Sequence, residues 1–429
     1  MSQETNKTEH QDLDPVVRAI GTDLEHTQVR LIASANADML FHYWKVGHFI
    51  LYLQKKEGWG SKVIDNLSKA IRSKYPDKKG YSRRNIFYMC QFASAYPLEV
   101  LKEMDRIDSL LTTPTVEKVL SLTNELNQIV QQPVALIQAT ENQSNTITQQ
   151  PVAQLEEVTE TLSTIYHCDI SQIEEIFKHS AIVRTNWASH VILLNSKLPL
   201  GECYWYITQA VANGWSRNVL QMQIETNLFA RQITAKKVSN FSVRLPKPQS
   251  DLANYLMKDP YIFDMMGQTD KMAERDIERQ LVSHITKYLL EMGSGFAFVA
   301  QQKHFEVGDS DFYADLILYN IQLHAYVVIE LKATPFKPEY MGQLNFYINV
   351  VDDTLRDEHD NKTIGLLLCN GGDKVVAQYA LSGYDQPIGV SDYQLSKAIP
   401  DNLKSALPTV EEVEEELSKI VGVDILKKD

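Results

Sequence analysis

The 429-residue chain is 44% hydrophobic and 23% charged, a globular balance that excludes a fibrous chain or one disordered throughout and leaves room for about two to four domains. Its four cysteines, Cys90, Cys168, Cys203 and Cys369, form no CxxC pair, which argues against a disulfide framework or a zinc knuckle. The polar start and the absence of an apolar run of about 18 residues argue against a secretory leader and a membrane span, so the expectation is a soluble cytoplasmic protein.

The net charge of −13 conceals a partition: residues 1–102 carry +4, 103–180 carry −9, 181–250 carry +6 and 251–429 carry −14. Such asymmetry says more about partners than the total does. Residues 1–14 read as a disordered tail. From Pro15 to Leu53 apolar residues recur at three- and four-residue steps, as in a helix. Gly58-Trp59-Gly60 interrupts it, and Val63, Ile64, Leu67, Ile71 and Tyr75 mark the apolar face of the next helix. Pro76–Gly80 is a turn, and Ser82 is placed to cap a further helix running through Phe92 and Tyr96.

Between Lys118 and Lys178 there is no Lys or Arg, and Gln131-Gln132-Pro133-Val134-Ala135 recurs as Gln149-Gln150-Pro151-Val152-Ala153. Residues 103–170 are therefore expected to be an acidic, Gln-rich insert, a linker or an elaborated surface loop. Helical periodicity returns with Asp169 or Ser171 as the start. Gly214-Trp215-Ser216-Arg217 then echoes Gly80-Tyr81-Ser82-Arg83, and both read as turn, N-cap and helix. The echo is either a repeated helix-turn-helix-like unit or a coincidence of common cap signals.

Residues 232–265 read as a connection. Beyond them the pattern is a helix from Ile277 to Met292, strands at 296–300, 312–319 and 326–331, a helix at 338–351 and a strand at 363–369, which describes a compact α/β domain. The expected organisation is a tail at 1–14, a helical DNA-binding-like region at 15–102 resuming at 171–245, the insert at 103–170, a linker at 246–270, the α/β domain at 271–405, and an acidic helical tail at 406–429.

The chemistry is expected where Asp315 opens one apolar strand and Glu330-Leu331-Lys332 closes the next. A strand buried on both faces has no structural use for Glu and Lys at its end. Period two puts Glu330 and Lys332 on the same face, and antiparallel pairing brings Asp315 beside Glu330. Two such carboxylates repel unless a cation lies between them. Their hard oxygens suit Mg²⁺ or Mn²⁺, and Lys332 is placed to handle a water or the charge growing on a phosphate. An acid, a gap and Glu-x-Lys is the PD-(D/E)XK nuclease pattern. On its own it is as readily a salt-bridged strand end. Glu278, on the preceding helix, and Gln343, on the following one, add to it. Each is alternatively a plain surface residue.

The run from Gly295 to Asp353, continuing through Lys362–Cys369, resembles the YhcG-type family of bacterial PD-(D/E)XK nucleases. The likeness extends to Tyr43-Trp44, Trp59-Gly60, Gly80–Asn85, Asn186-Trp187, Gly214–Arg217 and Asp259-Pro260-Tyr261. It implies an α + α/β multidomain protein, with an all-α helix-turn-helix-like N-terminal region and a restriction-endonuclease-like C-terminal domain. It also implies a bacterial cytoplasmic enzyme that cleaves phosphodiesters with Mg²⁺ (or Mn²⁺), its roles falling on Asp315, Glu330, Lys332, Glu278 and Gln343. Family members tend to carry Gly-Arg-Gln where this chain has Ala300-Gln301-Gln302, which removes a positive charge. Gln343 is similar to a residue of nuclease branches that act on branched or broken DNA, in keeping with DNA repair, recombination or defence against phage and other foreign DNA.

Residues 61–90 carry a net +6. Arg83 and Arg84 follow the Ser82 cap, where a helix N-terminus already favours phosphate. Lys78 and Lys79 lie in the turn before it, and Arg217 holds the matching place in the second copy. These five residues are expected to bind DNA, against a solvated basic face as the alternative. The five tryptophans and His190 are expected to be packing residues. The competing readings for the whole chain are a DNA-binding or complex-assembly protein whose nuclease fold does not cut or cuts only with a partner subunit, and an RNase. A homodimer fits an enzyme that must cut two strands.

Overall fold

The computed structural model describes residues 14–57, 62–131, 155–264, 289, 291–293 and 295–396. The helix expected at 277–292 is therefore described only at its end, and the acidic tail, Trp59 and the Gln-Pro-Val-Ala duplication lie outside the described residues. Helices α1 (Asp14–Glu57), α2 (Lys62–Lys74), α3 (Arg83–Ala95), α4 (Leu98–Leu110), α5 (Val116–Gln131), α6 (Leu155–Tyr166), α7 (Ile170–His179), α8 (Trp187–Ser196), α9 (Leu200–Ala212) and α10 (Arg217–Glu225) come first. No described helix is long and apolar enough to cross a membrane. The chain divides into two compact units, one from 1–105 and 134–194, the other from 106–133 and 195–429.

In the first unit α1 turns Ala37, Leu40, Phe41, Trp44 and His48 inward at helical spacing. Trp44 is fully buried; its ring lies 5.8 Å from Tyr166 and 5.5 Å from Phe177, and its N–H donates to the Tyr96 carbonyl at 2.7 Å. Gly47 lies directly against the Met89 backbone, where a side chain has no room, so α1 and α3 pack closely. Ser82 caps α3 by accepting from the Asn85 N–H, and Asp169 caps α7 by accepting from the Ser171 N–H. Asn85 closes the turn further: its side-chain N–H₂ donates to the Gly80 carbonyl at 2.5 Å, and its oxygen accepts from Trp187 Nε1 at 2.7 Å. The Gly-Tyr-Ser-Arg-Arg-Asn sequence is thus a turn locked to a tryptophan on α8.

Residues 98–131 differ from the expected insert. They form α4, with Leu101, Met104 and Ile107 buried, and α5, with Val119, Leu122 and Leu126 buried. Scarcity of Lys and Arg suggests a linker, but three- and four-residue apolar spacing decides for helices. α6 likewise occupies the end of that segment.

The second unit adds β1 (Val238–Ser239), α11 (Phe241–Arg244), α12 (Gln249–Leu256), β2 (Tyr261–Asp264), β3 (Phe296–Val307), β4 (Ser310–Asn320), β5 (Ala325–Lys332), α13 (Tyr340–Thr354), β6 (Ile364–Cys369), α14 (Lys374–Leu381) and β7 (Ile388–Ser396). The sheet order is β1-β7-β6-β5-β4-β3, with β2 also on β7. The β3-β4-β5 meander is antiparallel, and β5, β6 and β7 run parallel. One face buries Leu316, Leu318, Ile329, Leu331 and Leu366 against Phe241, Leu245 and Met257. The other buries Ile317, Val328 and Leu367 against Met341, Leu344 and Ile348 of α13. Gly365 lets α13 lie close to the sheet, because a methyl there would stand 2.5 Å from Ile348 Cδ1. Residues 232–265, expected as a connection, instead carry β1, α11, α12 and β2. These elements are two to eight residues long, too short for any periodicity to show.

His190 and His48 are buried in the first unit, and the Nε2 of His190 lies 2.8 Å from the Ile182 carbonyl. Burial depresses both pKa values, to about 3 for His48 and about 4 for His190, so the folded unit holds both rings neutral. The unfolded chain takes up protons near pH 6.5 and the folded one does not, so stability is full above about pH 6.5 and falls below it. Each histidine contributes up to about 1.4 kcal/mol per pH unit. Thermal unfolding followed between about pH 7 and pH 5 should show the melting temperature falling. A flat profile that His48→Phe leaves unchanged contradicts this.

Candidate active site

The β4–β5 register, Leu316 with Ile329 through Asn320 with Ala325, sets Asp315 across from Glu330. The Asp315 N–H donates to Glu330 Oε1 at 3.4 Å, and the Leu331 N–H donates to Asp315 Oδ2 at 3.0 Å. Lys332 Nζ donates to Glu330 Oε2 at 3.3 Å and lies 5.7 Å from the Tyr340 ring centre. Asp315 and Lys332 are each 6% exposed and Glu330 is fully buried. Two carboxylates and one ammonium therefore share one buried place on the sheet face that α13 covers.

The structure adds a residue that motif spacing does not name. The β3–β4 hairpin turns at Gly308-Asp309, with Val307 opposite Ser310. Counting back along that register sets Gln302 across from Asp315, and its Nε2 donates to Asp315 Oδ1 at 3.1 Å. The signal was present in the sequence, because a two-residue Gly-Asp loop between strands fixes register. Gln302 has a φ of 44°, just beyond the bulge at Phe298/Ala300, so the local backbone is bent to present it.

Gln343 lies on the first turn of α13, exposed, and hydrogen-bonds the Tyr347 side chain one turn on. Tyr347 has its pKa raised by burial first, with the charges of Glu330 and Asp315 adding to the effect. Gln343 thus meets the carboxylates through Tyr347. Tyr340 is the other aromatic at the site, its hydroxyl 2.6 Å from Thr334 Oγ1. Glu278 lies outside the described residues.

Burial is the largest cause raising the Glu330 pKa well above the carboxylate range. The charge of Asp315 raises it further, and Lys332 opposes both. A cation between the two acids would reverse that penalty. Among the described residues no group of three or more His, Cys, Asp or Glu side chains could hold a metal. Two hard carboxylates without imidazole or thiolate do fit Mg²⁺, which keeps several waters and takes one or two carboxylates.

Of the five candidate DNA-binding residues, Lys78, Lys79, Arg83, Arg84 and Arg217 are all exposed. Arg83 pairs with Asp65 at 3.0 Å, and the Arg84 guanidinium lies 5.7 Å from the Tyr88 ring centre. Arg217 opens α10, which Ser216 caps by accepting from the Val219 N–H, so the two Gly-aromatic-Ser-Arg sequences adopt the same local form. They fall in different units. Of the tryptophans expected in the core, Trp44 and Trp205 are buried, and Trp187 and Trp215 are half-buried.

Residues 254–408 match the model of the YhcG PDDEXK nuclease domain, and residues 19–121 match that of the DUF1016 N-terminal domain. The chain carries a YhcG-type PD-(D/E)XK nuclease domain at 254–408 and a DUF1016 N-terminal domain at 19–121. The protein named "Putative nuclease YhcG" from Escherichia coli (strain K12) is 30% identical over 205 residues, 47% of this chain. That alignment spans 54% of the relative, about half its length. A crystal structure of a repair endonuclease from Pyrococcus abyssi aligns with 31% of this chain and 50% of that one, at 14% identity and a TM-score of 0.21, too low to bear on function.

A Glu330 pKa raised in the folded state means that the folded chain binds more protons than the unfolded one, from about pH 4.5 upward. Without divalent metal, stability should fall as pH rises through that window, by up to about 1.4 kcal/mol per pH unit. Glu330→Gln should remove this slope and melt higher than wild type at about pH 8 in EDTA. Equal melting temperatures for the two proteins would show that the buried charge carries no penalty.

Proposed function

We propose that the protein is a divalent-metal-dependent endonuclease that hydrolyses phosphodiester bonds in DNA. The observation that carries this reading is the buried Asp315–Glu330 pair with Lys332 on Glu330 Oε2. Asp315 and Glu330 would hold Mg²⁺ or Mn²⁺, which when bound supplies positive charge against the phosphate and lowers the pKa of a water. Lys332, buried against Tyr340, has its ammonium turned toward the carboxylates, where it orients the attacking water and offsets charge growing on phosphate. Gln302 fixes the Asp315 rotamer by donating to Oδ1, while the Leu331 N–H holds Oδ2. Gln343 and Tyr347 flank the same face, and Glu278 is assigned an assisting acid role by the motif alone.

Grip on the substrate is assigned to two capped helix starts, one in each unit. Lys78, Lys79, Arg83 and Arg84 surround the capped start of α3, where free N–H groups add to their charge, and Arg217 opens α10 in the same way. A separate grip suits a nuclease portion whose sequence, 251–429, carries −14. Repair, recombination or defence against foreign DNA is the setting in which such a cut is expected.

Cleavage should be measured with Mg²⁺ or Mn²⁺ on duplex, single-stranded and branched DNA and on RNA. Wild type should cut DNA, and Lys332→Ala should lose at least about a hundredfold in rate while remaining folded in the presence of the metal. Equal cutting by Lys332→Ala would remove the assigned site. RNA cut in preference to DNA would make the protein an RNase, and salt-sensitive DNA binding without any cutting would make it a binding module.

A further inference from the structure

Away from the carboxylate site, and sharing no residue with it, the second unit holds a cavity of about 310 Å³. That volume is within the range of small-molecule sites. Lys258 lines it and is only 3% exposed. Buried ammonium groups normally have a carboxylate of their own. Here Glu291, the described carboxylate whose charge acts on it, is taken: it accepts from Arg231 Nη1 at 2.5 Å and from the Ile262 N–H at 3.0 Å. Asp259, the next residue in the chain, is taken by Lys374. Among the described residues Lys258 is left with attraction from Glu291 and repulsion from Arg231. Gly293 on the cavity wall lies beside the ammonium, since a Cβ there would stand 4.0 Å from Nζ.

The rest of the lining is complementary to a particular chemistry. Gln209 Nε2 donates to the Tyr255 hydroxyl at 2.9 Å and Gln232 Nε2 to the Tyr255 carbonyl at 3.1 Å. Each amide has its N–H₂ tied to Tyr255 and its oxygen available as an acceptor. Trp215 and Tyr255 supply aromatic surface, and no Asp or Glu is among the described lining residues. One cation, amide acceptors and flat apolar walls suit an organic anion that carries a ring with N–H donors.

We propose that this cavity binds a nucleoside monophosphate, with the phosphate against Lys258 and the amino-bearing base between the aromatic walls and the Gln209 and Gln232 oxygens. Burial lowers the Lys258 pKa to about 8, which leaves the ammonium charged at neutral pH. The assignment does not depend on the nuclease reading.

The test is calorimetric titration of the full chain with AMP and, separately, with inorganic phosphate, both in EDTA so that no metal bridges nucleotide to Asp315 and Glu330. AMP should bind wild type more tightly than inorganic phosphate does. Lys258→Gln should weaken AMP by about tenfold or more. Thr113→Trp, on an exposed loop at the cavity rim, should block AMP even if Lys258→Gln fails to fold. No AMP binding by wild type overturns the proposal, as does phosphate binding as tightly as AMP. AMP binding undiminished in Thr113→Trp or in a folded Lys258→Gln protein overturns it too.

Discussion

Asp315 and Glu330 stand side by side on paired strands, out of water, with Lys332 as the ammonium bonded between strand end and carboxylate. Water would screen such a pair at a surface; inside the sheet the repulsion persists and a single lysine offsets only part of it. The Asp315 and Leu331 N–H groups and the Gln302 amide replace only part of the lost hydration. The fold accepts this cost here. That is the reason to look there for chemistry, and the reason a divalent cation is the natural completion of the site.

Much of the surrounding architecture serves to hold that pair. The meander β3-β4-β5 fixes three side chains in one row by register alone: Gln302, Asp315 and Glu330. Helix α13 closes over the row because Gly365 lets it approach the sheet, and it brings Tyr340, Gln343 and Tyr347. The parallel strands β6 and β7 back β5 from the other side, and α11 and α12 cover the opposite face. Rigid elements, not loops, carry every described member of the site, as a geometry-dependent reaction requires.

The site was legible in the sequence to the extent that strand periodicity is legible. Asp315 and Glu330-Leu331-Lys332 break two runs of Leu, Ile and Val, and period two fixes which of them share a face. Gln302 was less legible. Its place follows from the length of the Gly308-Asp309 turn, whereas nothing marks a glutamine in a polar-looking strand as functional. The helices at 98–131 were obscured by the segment that follows them, whose lack of Lys and Arg and many amides suggest a linker, although Leu101, Met104 and Ile107 keep helical spacing. The short elements α11, α12, β1 and β2 were illegible for a different reason. They are shaped by the sheet they pack on, through Phe241, Met257 and Tyr261, and have no periodicity of their own. Ser82 and Ser216 were legible as caps because capping is local, but a cap does not show whether the arginine after it meets phosphate.

The central claim is that the buried acids are completed by a divalent cation. Mn²⁺ binding, followed by electron paramagnetic resonance on wild type and on Asp315→Asn, tests it without depending on knowledge of the substrate. The account predicts that wild type binds Mn²⁺ and that Asp315→Asn, still folded, binds it at least about tenfold more weakly. Wild type that binds no Mn²⁺, or an Asp315→Asn protein that binds it equally well, would contradict the account.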